Sequence, residues 1–495
     1  MDRPNVLLIA LPYVVRHIDS TRPKIRSFLA TPYGLLSIAT YCRDLANIQI
    51  IDCDTLPDHR KAIQEALENF RPDIVGFSMN YDNSYPHLEE LAGMVKDYDP
   101  NILVVLGGSA ASYSYEEIIH EQEDVDAICF GEGELPFAEL LKGYSTGHAR
   151  WINNLRTVGS AWVLRDTISG SPPLPSYIQD LDQVIDTDYS FVDPKAYEMQ
   201  EAFSPYARSN RKSFFLMTSR GCPFGCRFCS NSALHGKKVR QASVGSIVAH
   251  VRRLVEEYGM ETLIIYDDCL LYHKTRAKEI FRRLAQFSIR IEMPNGVNVA
   301  FVDEEIAELM AKAGVDTVYL AIESGSEYVL KELIHKPLKL RMVKPAVEAL
   351  QKHGLFCHAF IVLGMPGETD EHRRETERFL LDVGVNWAGI NLATPVRGSQ
   401  LYADCIKNGW IQKQKISDIV DKKYVINYPG QDPGEVERQA YEMNLNINFH
   451  HNQDMRNGNY ERAAACFRQV MQRYGGHELA KKYLAICEGK TRDNG

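Results

Sequence analysis

Three cysteines stand close together in one short segment of the chain. Cys222, Cys226 and Cys229 have the spacing C-x3-C-x2-C and lie in a glycine-bearing loop directly after a predicted strand. Cysteine thiolates hold iron–sulfur clusters, and a cubane cluster normally takes four of them. Three thiolates therefore predict a cluster with one iron left open, as a catalytic metal site requires. The alternatives are a zinc knuckle that uses His235 as its fourth ligand, or cysteines that only pack.

The three cysteines, with Phe228 directly before the third, match the motif of the radical S-adenosylmethionine (SAM) superfamily. This resemblance implies that Cys222, Cys226 and Cys229 hold a [4Fe-4S] cluster whose open iron chelates the amino and carboxylate groups of SAM. An electron from a donor such as flavodoxin or ferredoxin then enters the sulfonium and releases a 5′-deoxyadenosyl radical.

Further acidic and glycine residues follow three later predicted strands, in the order that the superfamily has them. Within the resemblance, carboxylates would bind the ammonium and ribose of SAM, and a glycine turn would bind its flat base. Each has a simpler interpretation, because an acidic pair often caps a helix and paired glycines often only make a turn. The candidate cofactor-binding residues of this half are Phe228, Asp267, Asp268, Glu323, Ser324, Gly364 and Gly367.

The elements that must position the cysteine loop alternate between apolar and amphipathic segments from Phe214 to about Leu401. Six apolar segments, each followed by a helical one, predict a partial (β/α)6 version of the TIM barrel, an α/β fold. Such a barrel places its chemistry at the carboxyl ends of its strands. The predicted strands are Phe214–Thr218, Thr262–Asp267, Arg290–Pro294, Thr317–Ile322, Cys357–Leu363 and Trp387–Thr394.

The first 150 residues carry a separate α/β alternation. Their short apolar runs are typical of a doubly wound parallel sheet that helices cover on both faces. The runs predict a Rossmann-like or flavodoxin-like domain, which binds ligands outside the carboxyl ends of its strands. The predicted strands are Val6–Ala10, Ile48–Ile51, Ile74–Phe77, Leu103–Leu106 and Ala127–Phe130.

Glycines in the loops after these strands would let the backbone approach a bulky ligand, and no G-x-G-x-x-G loop precedes a helix, which disfavours a dinucleotide. The segments resemble the cobalamin-binding domain that precedes many radical SAM barrels. The resemblance implies that Ser78, Gly107, Gly108, Gly131 and Glu132 line the corrinoid pocket. A bulky side chain at Gly108 would then intrude on the corrinoid, whereas a cobalamin-free domain would tolerate it.

The cobalamin motif Asp-x-His-x-x-Gly is missing from the sequence, since Asp54 and His59 have the wrong spacing. No histidine is therefore expected to bind cobalt as its lower ligand. The alternative is a domain that keeps the fold, has lost the cofactor and only packs on the barrel.

The sequence divides into four predicted parts. They are a cobalamin-binding domain over 1–150, a linker over 151–211, the radical SAM barrel over 212–410 and a helical region over 411–495. The last part pairs the amphipathic segments Tyr460–Tyr474 and Glu478–Cys487, which indicates one tetratricopeptide-like hairpin or a plain helical cap on the barrel.

Composition excludes several classes of protein. The 495 residues include 56 basic and 65 acidic residues, and the net charge of −9 disfavours nucleic acid as a partner. No apolar run approaches the ~18 residues of a membrane helix, and the Val6–Val15 run lacks the cationic flank of a signal peptide. Eleven cysteines without such a signal favour reduced thiols in a cytoplasmic protein.

The two resemblances together predict a cobalamin-dependent radical SAM enzyme, most simply a methyltransferase that acts on an unactivated carbon. One SAM would methylate cobalamin, and a second would give the radical that removes a substrate hydrogen. The alternatives are cyclisation, ring contraction or oxidation with the same cofactors, a cobalamin-free radical enzyme, and an iron–sulfur scaffold protein. The substrate, whether a small molecule, a lipid or a peptide, has no signature in the sequence.

Overall fold

The computed structural model describes residues 3–13, 30–143, 148–157, 159, 161–166, 173–197, 212–412, 416 and 424–493. Parts of the predicted linker, including residues 169–172 and 198–211, lie outside these ranges. Over the described ranges, no helix is both long enough and apolar enough to cross a membrane.

The N-terminal sheet contains strands β1 (Asn5–Ala10), β2 (Asn47–Asp52), β3 (Ile74–Ser78), β4 (Leu103–Gly107), β5 (Ala127–Cys129) and β6 (Trp162–Leu164). Their order is β2-β1-β3-β4-β5-β6, and the first five are parallel. Two apolar clusters, one on each face, bury these strands, which explains their runs without polar alternation. This order is flavodoxin-like, one of the two forms that the sequence predicts, and it puts the switch point between β1 and β3.

The described helices of this half are α1 (Tyr33–Cys42), α2 (His59–Phe70), α3 (Tyr85–Tyr98), α4 (Ser109–Tyr113), α5 (Tyr115–Glu121), α6 (Glu134–Lys142) and α7 (His148–Thr157). Strand β6 follows α7 inside the segment predicted as a linker, and it pairs antiparallel with β5. The first sheet therefore continues beyond residue 150. Three residues are too few to show a strand period, so the alternation could not reveal β6.

The second half contains β7 (Ser213–Leu216), the short strands β8 (Ser219–Arg220) and β9 (Arg240–Gln241), and then β10 (Thr262–Ile265), β11 (Arg290–Glu292), β12 (Thr317–Glu323), β13 (Phe356–Leu363) and β14 (Trp387–Leu392). Parallel strands form the sheets β11-β10-β7 and β12-β13-β14, and single bridges at Ile291–Val315 and Val297–Leu320 join the two. Strands β8 and β9 form an antiparallel ribbon. The predicted partial (β/α)6 barrel is confirmed.

The described helices of this half are α8 (Asn231–His235), α9 (Val244–Tyr258), α10 (Lys274–Leu284), α11 (Glu304–Lys312), α12 (Val343–Lys352), α13 (Asp370–Val383), α14 (Gln400–Lys407), α15 (Pro433–Leu445), α16 (Gln453–Arg456), α17 (Tyr460–Arg473) and α18 (Glu478–Asp493). Helices α17 and α18 form the predicted hairpin, which packs around Phe449. Asn448, the residue before Phe449, is fully buried. Its side-chain amide makes two hydrogen bonds of 2.8 Å with the main chain of Ala388. The C-terminal region therefore caps the edge of β14.

Candidate active site

The cysteine loop leaves the carboxyl end of β7, and its base is closed by the ribbon of β8 and β9. Gly221 has a φ of +93°, and a side chain there would collide with the carbonyl oxygen of Lys238. Asp268 accepts hydrogen bonds from Gly221 N and from Asn231 Nδ2, both at 2.9 Å. These contacts hold the loop in place, and neither of them uses a thiol.

Asp267 also holds the loop. Its carboxylate accepts hydrogen bonds of 2.6 Å from Thr218 N, Thr218 Oγ1 and Ser219 Oγ, and the residue is only 3% exposed. Burial raises its pKa above the ordinary value of an aspartate. The carboxylate of Asp267 is therefore engaged in holding the loop, and its contact with SAM stays a prediction. Asp268, which is half-buried, stays a candidate.

The three loop cysteines are half-buried and unpaired by disulfides. A hydrogen bond with the thiol of Cys269 holds the pKa of Cys222 below its usual range, and burial raises the pKa of both Cys226 and Cys229. Phe228 packs beside Cys226 in an apolar cluster at the barrel mouth. The loop thus presents three thiols, and its Phe228 is anchored in the same apolar cluster as Cys226.

The donor set fits a cluster better than a single ion. Within the described ranges, no three His, Cys, Asp or Glu side chains are arranged to hold one metal ion. His235 Nδ1 lies 2.9 Å from Glu132 Oε1 on the N-terminal domain, which leaves only Nε2 of this histidine for the zinc-knuckle alternative. A [4Fe-4S] cube spreads its ligands over a wider volume, and three thiolates would leave one iron for SAM.

A buried ion pair stands beside the cysteines. Glu323 ends β12 with a φ of +69°, a rare value for a residue with a side chain. Its Oε1 lies 3.2 Å from Lys336 Nζ, and both residues are at most 9% exposed. Burial alone would lower the pKa of Lys336, but Glu323 and the thiols of Cys226 and Cys222 raise it. The structure therefore places Lys336, which the sequence analysis missed, beside Glu323, which it predicted.

Two other residues predicted to contact SAM, Ser324 and Gly364, make contacts inside the protein. Ser324 is fully buried, and its Oγ lies 3.1 Å from Thr376 Oγ1, so its hydroxyl is engaged inside the protein and its contact with SAM stays a prediction. Gly364, with a φ of +88°, packs under Tyr424, whose hydroxyl donates to Gly364 O at 2.6 Å. Gly367 has more room, since a Cβ there would meet nothing nearer than 3.4 Å. Of the glycine turn, Gly367 stays the better candidate for the base.

The predicted corrinoid loops meet at one edge of the N-terminal sheet. Ser78 and Gly107 end β3 and β4, and they are partners in the parallel ladder. Gly108 has a φ of +103°, and a Cβ there would lie 2.5 Å from Met79 O. The prediction that a cobalamin-free domain tolerates a large side chain at Gly108 is therefore wrong. A Cβ at Gly107, by contrast, would meet only the Cβ of Cys129 at 4.0 Å.

The change Gly107→Leu is expected to lower cobalamin affinity at least about tenfold, because the added side chain would occupy the space that the corrinoid needs. The Cβ of the new side chain meets no atom of the protein nearer than 4.0 Å, so the thermal midpoint and the cluster content should stay near wild type. Equilibrium dialysis with hydroxocobalamin measures the effect. Unchanged affinity would mean that the corrinoid does not lie over this loop.

The two domains meet in a buried network of charges. Arg220, directly before the cysteine loop, lies 3.1 Å from Glu132 and 2.8 Å from Glu134. Arg240 lies 2.5 Å from Glu132, opposite His235. The side chains of both arginines and both glutamates are at most 5% exposed. The carboxylate of Glu132 is therefore committed to the interface between the domains, and its place in the corrinoid pocket stays a prediction.

The network fixes the cysteine loop against the loop after β5. Burial would raise the pKa of Glu132, but hydrogen bonds from Arg240 and His235 and the charge of Arg220 lower it to about 2. Tyr113 of the N-terminal domain makes a further contact and donates to Ser230 O at 3.0 Å. The edge of the first sheet and the mouth of the barrel are thus held face to face.

Comparisons with known proteins agree with this arrangement. A family model described as the radical SAM superfamily matches residues 216–380, and one described as the B12 binding domain matches residues 26–141. The chain is 30% identical to the cytidylyl-2-hydroxyethylphosphonate methyltransferase of Streptomyces wedmorensis, over 78% of this chain and 77% of that protein. It is 28% identical to an uncharacterized methyltransferase of Pyrococcus horikoshii, over 88% and 91% of the two chains.

A solved structure shares the fold. The radical SAM methyltransferase TsrM from Kitasatospora setae, with cobalamin and a [4Fe-4S] cluster bound, has a TM-score of 0.64 and 17% identity. The match covers 89% of this chain and 85% of that chain.

The fold and the site define a radical SAM enzyme with a B12-binding domain in front of its barrel. The chain belongs to the cobalamin-dependent radical SAM methyltransferase family, as the similarity over three quarters of the Streptomyces enzyme shows. Its cofactors are a [4Fe-4S] cluster, SAM and cobalamin.

Proposed function

We propose that this enzyme methylates an unactivated carbon atom of a small molecule by a radical route. The observation that carries the proposal is the buried network of Arg220, Arg240, Glu132 and Glu134, which holds the two cofactor domains face to face. A methyl group that passes from the corrinoid to a carbon radical requires both cofactors within reach of one substrate. A fixed interface between the two domains supplies that geometry.

Different residues of the barrel mouth would bind the cluster and SAM. The cluster and SAM supply a 5′-deoxyadenosyl radical, and cobalamin supplies the methyl group. Cys222, Cys226 and Cys229 would hold the cluster. Glu323 would accept hydrogen bonds from the ammonium or ribose of SAM, and Lys336 would neutralise its carboxylate. Because this pair is almost fully buried, water competes weakly for both contacts.

Losing the charge of either residue is expected to weaken SAM binding. A hydrogen bond to a charged group contributes about 1.5–3 kcal/mol, so Glu323→Gln and Lys336→Met should each lower the affinity by about one to two decades. Iron content should not change, since neither residue is a cluster ligand. The matched control is Glu332→Gln, which alters an exposed pair with Lys331 in the next segment.

Isothermal titration of the reconstituted protein with SAM measures the affinities. If Glu323→Gln bound SAM as tightly as the Glu332→Gln control, the pair would be structural only.

The substrate class is proposed from the relatives. The Streptomyces enzyme is named for a cytidylyl phosphonate, and TsrM is described with its tryptophan substrate bound. Both are small polar molecules that contain a flat ring. We therefore expect a small molecule of this kind, and an electron donor such as flavodoxin or ferredoxin as the protein partner.

Isotope transfer tests the proposed reaction. Reconstituted enzyme is incubated with a reductant, CD3-labelled SAM and either cytidylyl-2-hydroxyethylphosphonate, L-tryptophan or a metabolite extract. A product in which CD3 replaces one hydrogen on carbon, together with 5′-deoxyadenosine, supports the proposal. CD3 found only on oxygen or nitrogen would contradict it, because methylation at those atoms needs no carbon radical.

A further inference from the structure

The inner face of the barrel is more accessible than its outer face. Along β13, four residues are fully buried against the surrounding helices, namely Cys357, Ala359, Ile361 and Leu363. The residues between them point into the barrel and are only half-buried, namely His358, Phe360 and Val362. A barrel interior packed with side chains would bury both sets. The lumen therefore contains open space along this strand.

His358 makes no hydrogen bond to any described residue. Its Nδ1 has neither solvent contact nor a partner. The ring is held instead by Tyr319 and Phe360, at centroid distances of 5.1 and 5.5 Å. Burial lowers the pKa of His358 to about 4, so the imidazole is neutral near pH 7. Nδ1 therefore has no partner among the described residues, and Nε2 is the ring nitrogen left to bind a ligand.

The other ring nitrogen faces the open side. A Cβ added at Gly389 on the neighbouring strand would lie 3.0 Å from His358 Nε2 and 3.6 Å from Phe360 Cδ1. Glycine at this position therefore keeps the space beside both rings clear. Because Nδ1 is sealed, the proton is best placed on Nε2, from which it can be donated into the lumen.

The strand register places these rings beneath the SAM site. Glu323 pairs with Ile361, three residues along β13 from His358, which is a rise of about 10 Å. Val362 and Asn391 are partners in the ladder and lie above the rings, next to the level of Glu323. A molecule seated on His358 would thus extend along the lumen toward the Glu323–Lys336 pair.

We propose that His358, Phe360 and Gly389 form a slot for the flat ring of the substrate, with His358 Nε2–H donating to an acceptor atom on that ring. Phe360 supplies an aromatic face, and Gly389 supplies the clearance. The donor selects rings that carry a carbonyl oxygen or an unprotonated ring nitrogen. The inference rests on the proposed function, since it names the residues that bind the ring of the methylated substrate, at the end away from SAM.

Two probes of the same shape test the slot. Isoquinoline and naphthalene differ by one ring nitrogen, and their binding to the full-length, cluster-loaded protein is measured by equilibrium dialysis. In His358→Phe, isoquinoline affinity should fall about tenfold, the effect of one hydrogen bond, while naphthalene affinity should stay within about twofold. A purely structural role for His358 would lower both affinities equally and would overturn the proposal.

Two more variants complete the test. Gly389→Val should weaken both probes at least about tenfold, because the added side chain fills the slot. His120→Phe, the same exchange at an exposed position of α5, should change neither affinity. If the wild-type protein binds neither probe up to its solubility limit, the slot does not exist. The binding measurement needs no turnover. A negative binding result would therefore leave the methyl-transfer proposal untouched, and a failure of methyl transfer would leave the binding result untouched.

Discussion

Replacing Cys222, Cys226 and Cys229 together by alanine is expected to abolish both iron binding and formation of 5′-deoxyadenosine. Reconstituted wild-type protein should carry about four irons and four sulfides per chain, and the triple variant essentially none. The fold should persist, because the loop is held by backbone contacts such as Cys222 N to Gly236 O at 3.1 Å, which alanine retains. Iron and sulfide assays with circular dichroism measure both expectations.

Cys269→Ala is the matched control for the cluster. This buried thiol neighbours Cys222 but lies outside the cysteine motif, so the variant should still bind about four irons. Loss of the cluster in Cys269→Ala would show that four cysteines hold it and that no iron is open for SAM. Wild-type protein that takes up one zinc and no sulfide would refute the cluster itself.

Arg220→Met is expected to destabilise the protein by about 3–5 kcal/mol, the usual effect of removing one partner from a buried ion pair. The variant leaves the carboxylates of Glu132 and Glu134 facing an apolar side chain inside the interface. Urea unfolding measures the loss. The control is Arg156→Met, which breaks an exposed pair with Asp166 and should cost less than about 1 kcal/mol.

The same network predicts how stability depends on pH. Glu132 has its pKa lowered from 4.5 to about 2 in the folded protein. A lowered pKa means that the unfolded chain binds the proton more tightly. The stabilisation by Glu132 is therefore complete above about pH 4.5 and is lost as the pH falls toward 2. In Glu132→Gln this part of the acid transition should disappear, and an unchanged acid transition would mean that Glu132 is not ionised in the folded state.

The sequence was sufficient to predict those features of the fold and the site that depend only on residues close together in the chain. The cysteine spacing is local, and most barrel strands contain a run of neighbouring apolar residues, so both could be predicted without knowledge of the fold. The doubly wound class of the first sheet also followed from its apolar runs, whereas its strand order was left open between Rossmann-like and flavodoxin-like and came from the structure.

The contacts between distant segments could not be read in this way. Lys336 follows Glu323 by thirteen residues and comes just after the π-helix Val329–Ile334, and no local pattern shows that it folds back onto the carboxylate. Glu132 reaches Arg240 across 108 residues, so its loop was assigned to the corrinoid instead of to the interface. Asp267 had the residue type that SAM binding requires, but three nearby donors occupy its oxygens first.

Transfer of a labelled methyl group tests most directly that this one chain joins cobalamin chemistry to radical formation. The protein is purified with hydroxocobalamin, reconstituted with iron and sulfide, and supplied with a reductant and CD3-labelled SAM. Mass spectrometry should find CD3-cobalamin and 5′-deoxyadenosine, and the latter should be absent with the triple cysteine variant. Fully cluster-loaded protein that forms 5′-deoxyadenosine but retains no corrinoid would contradict methyl transfer by this enzyme.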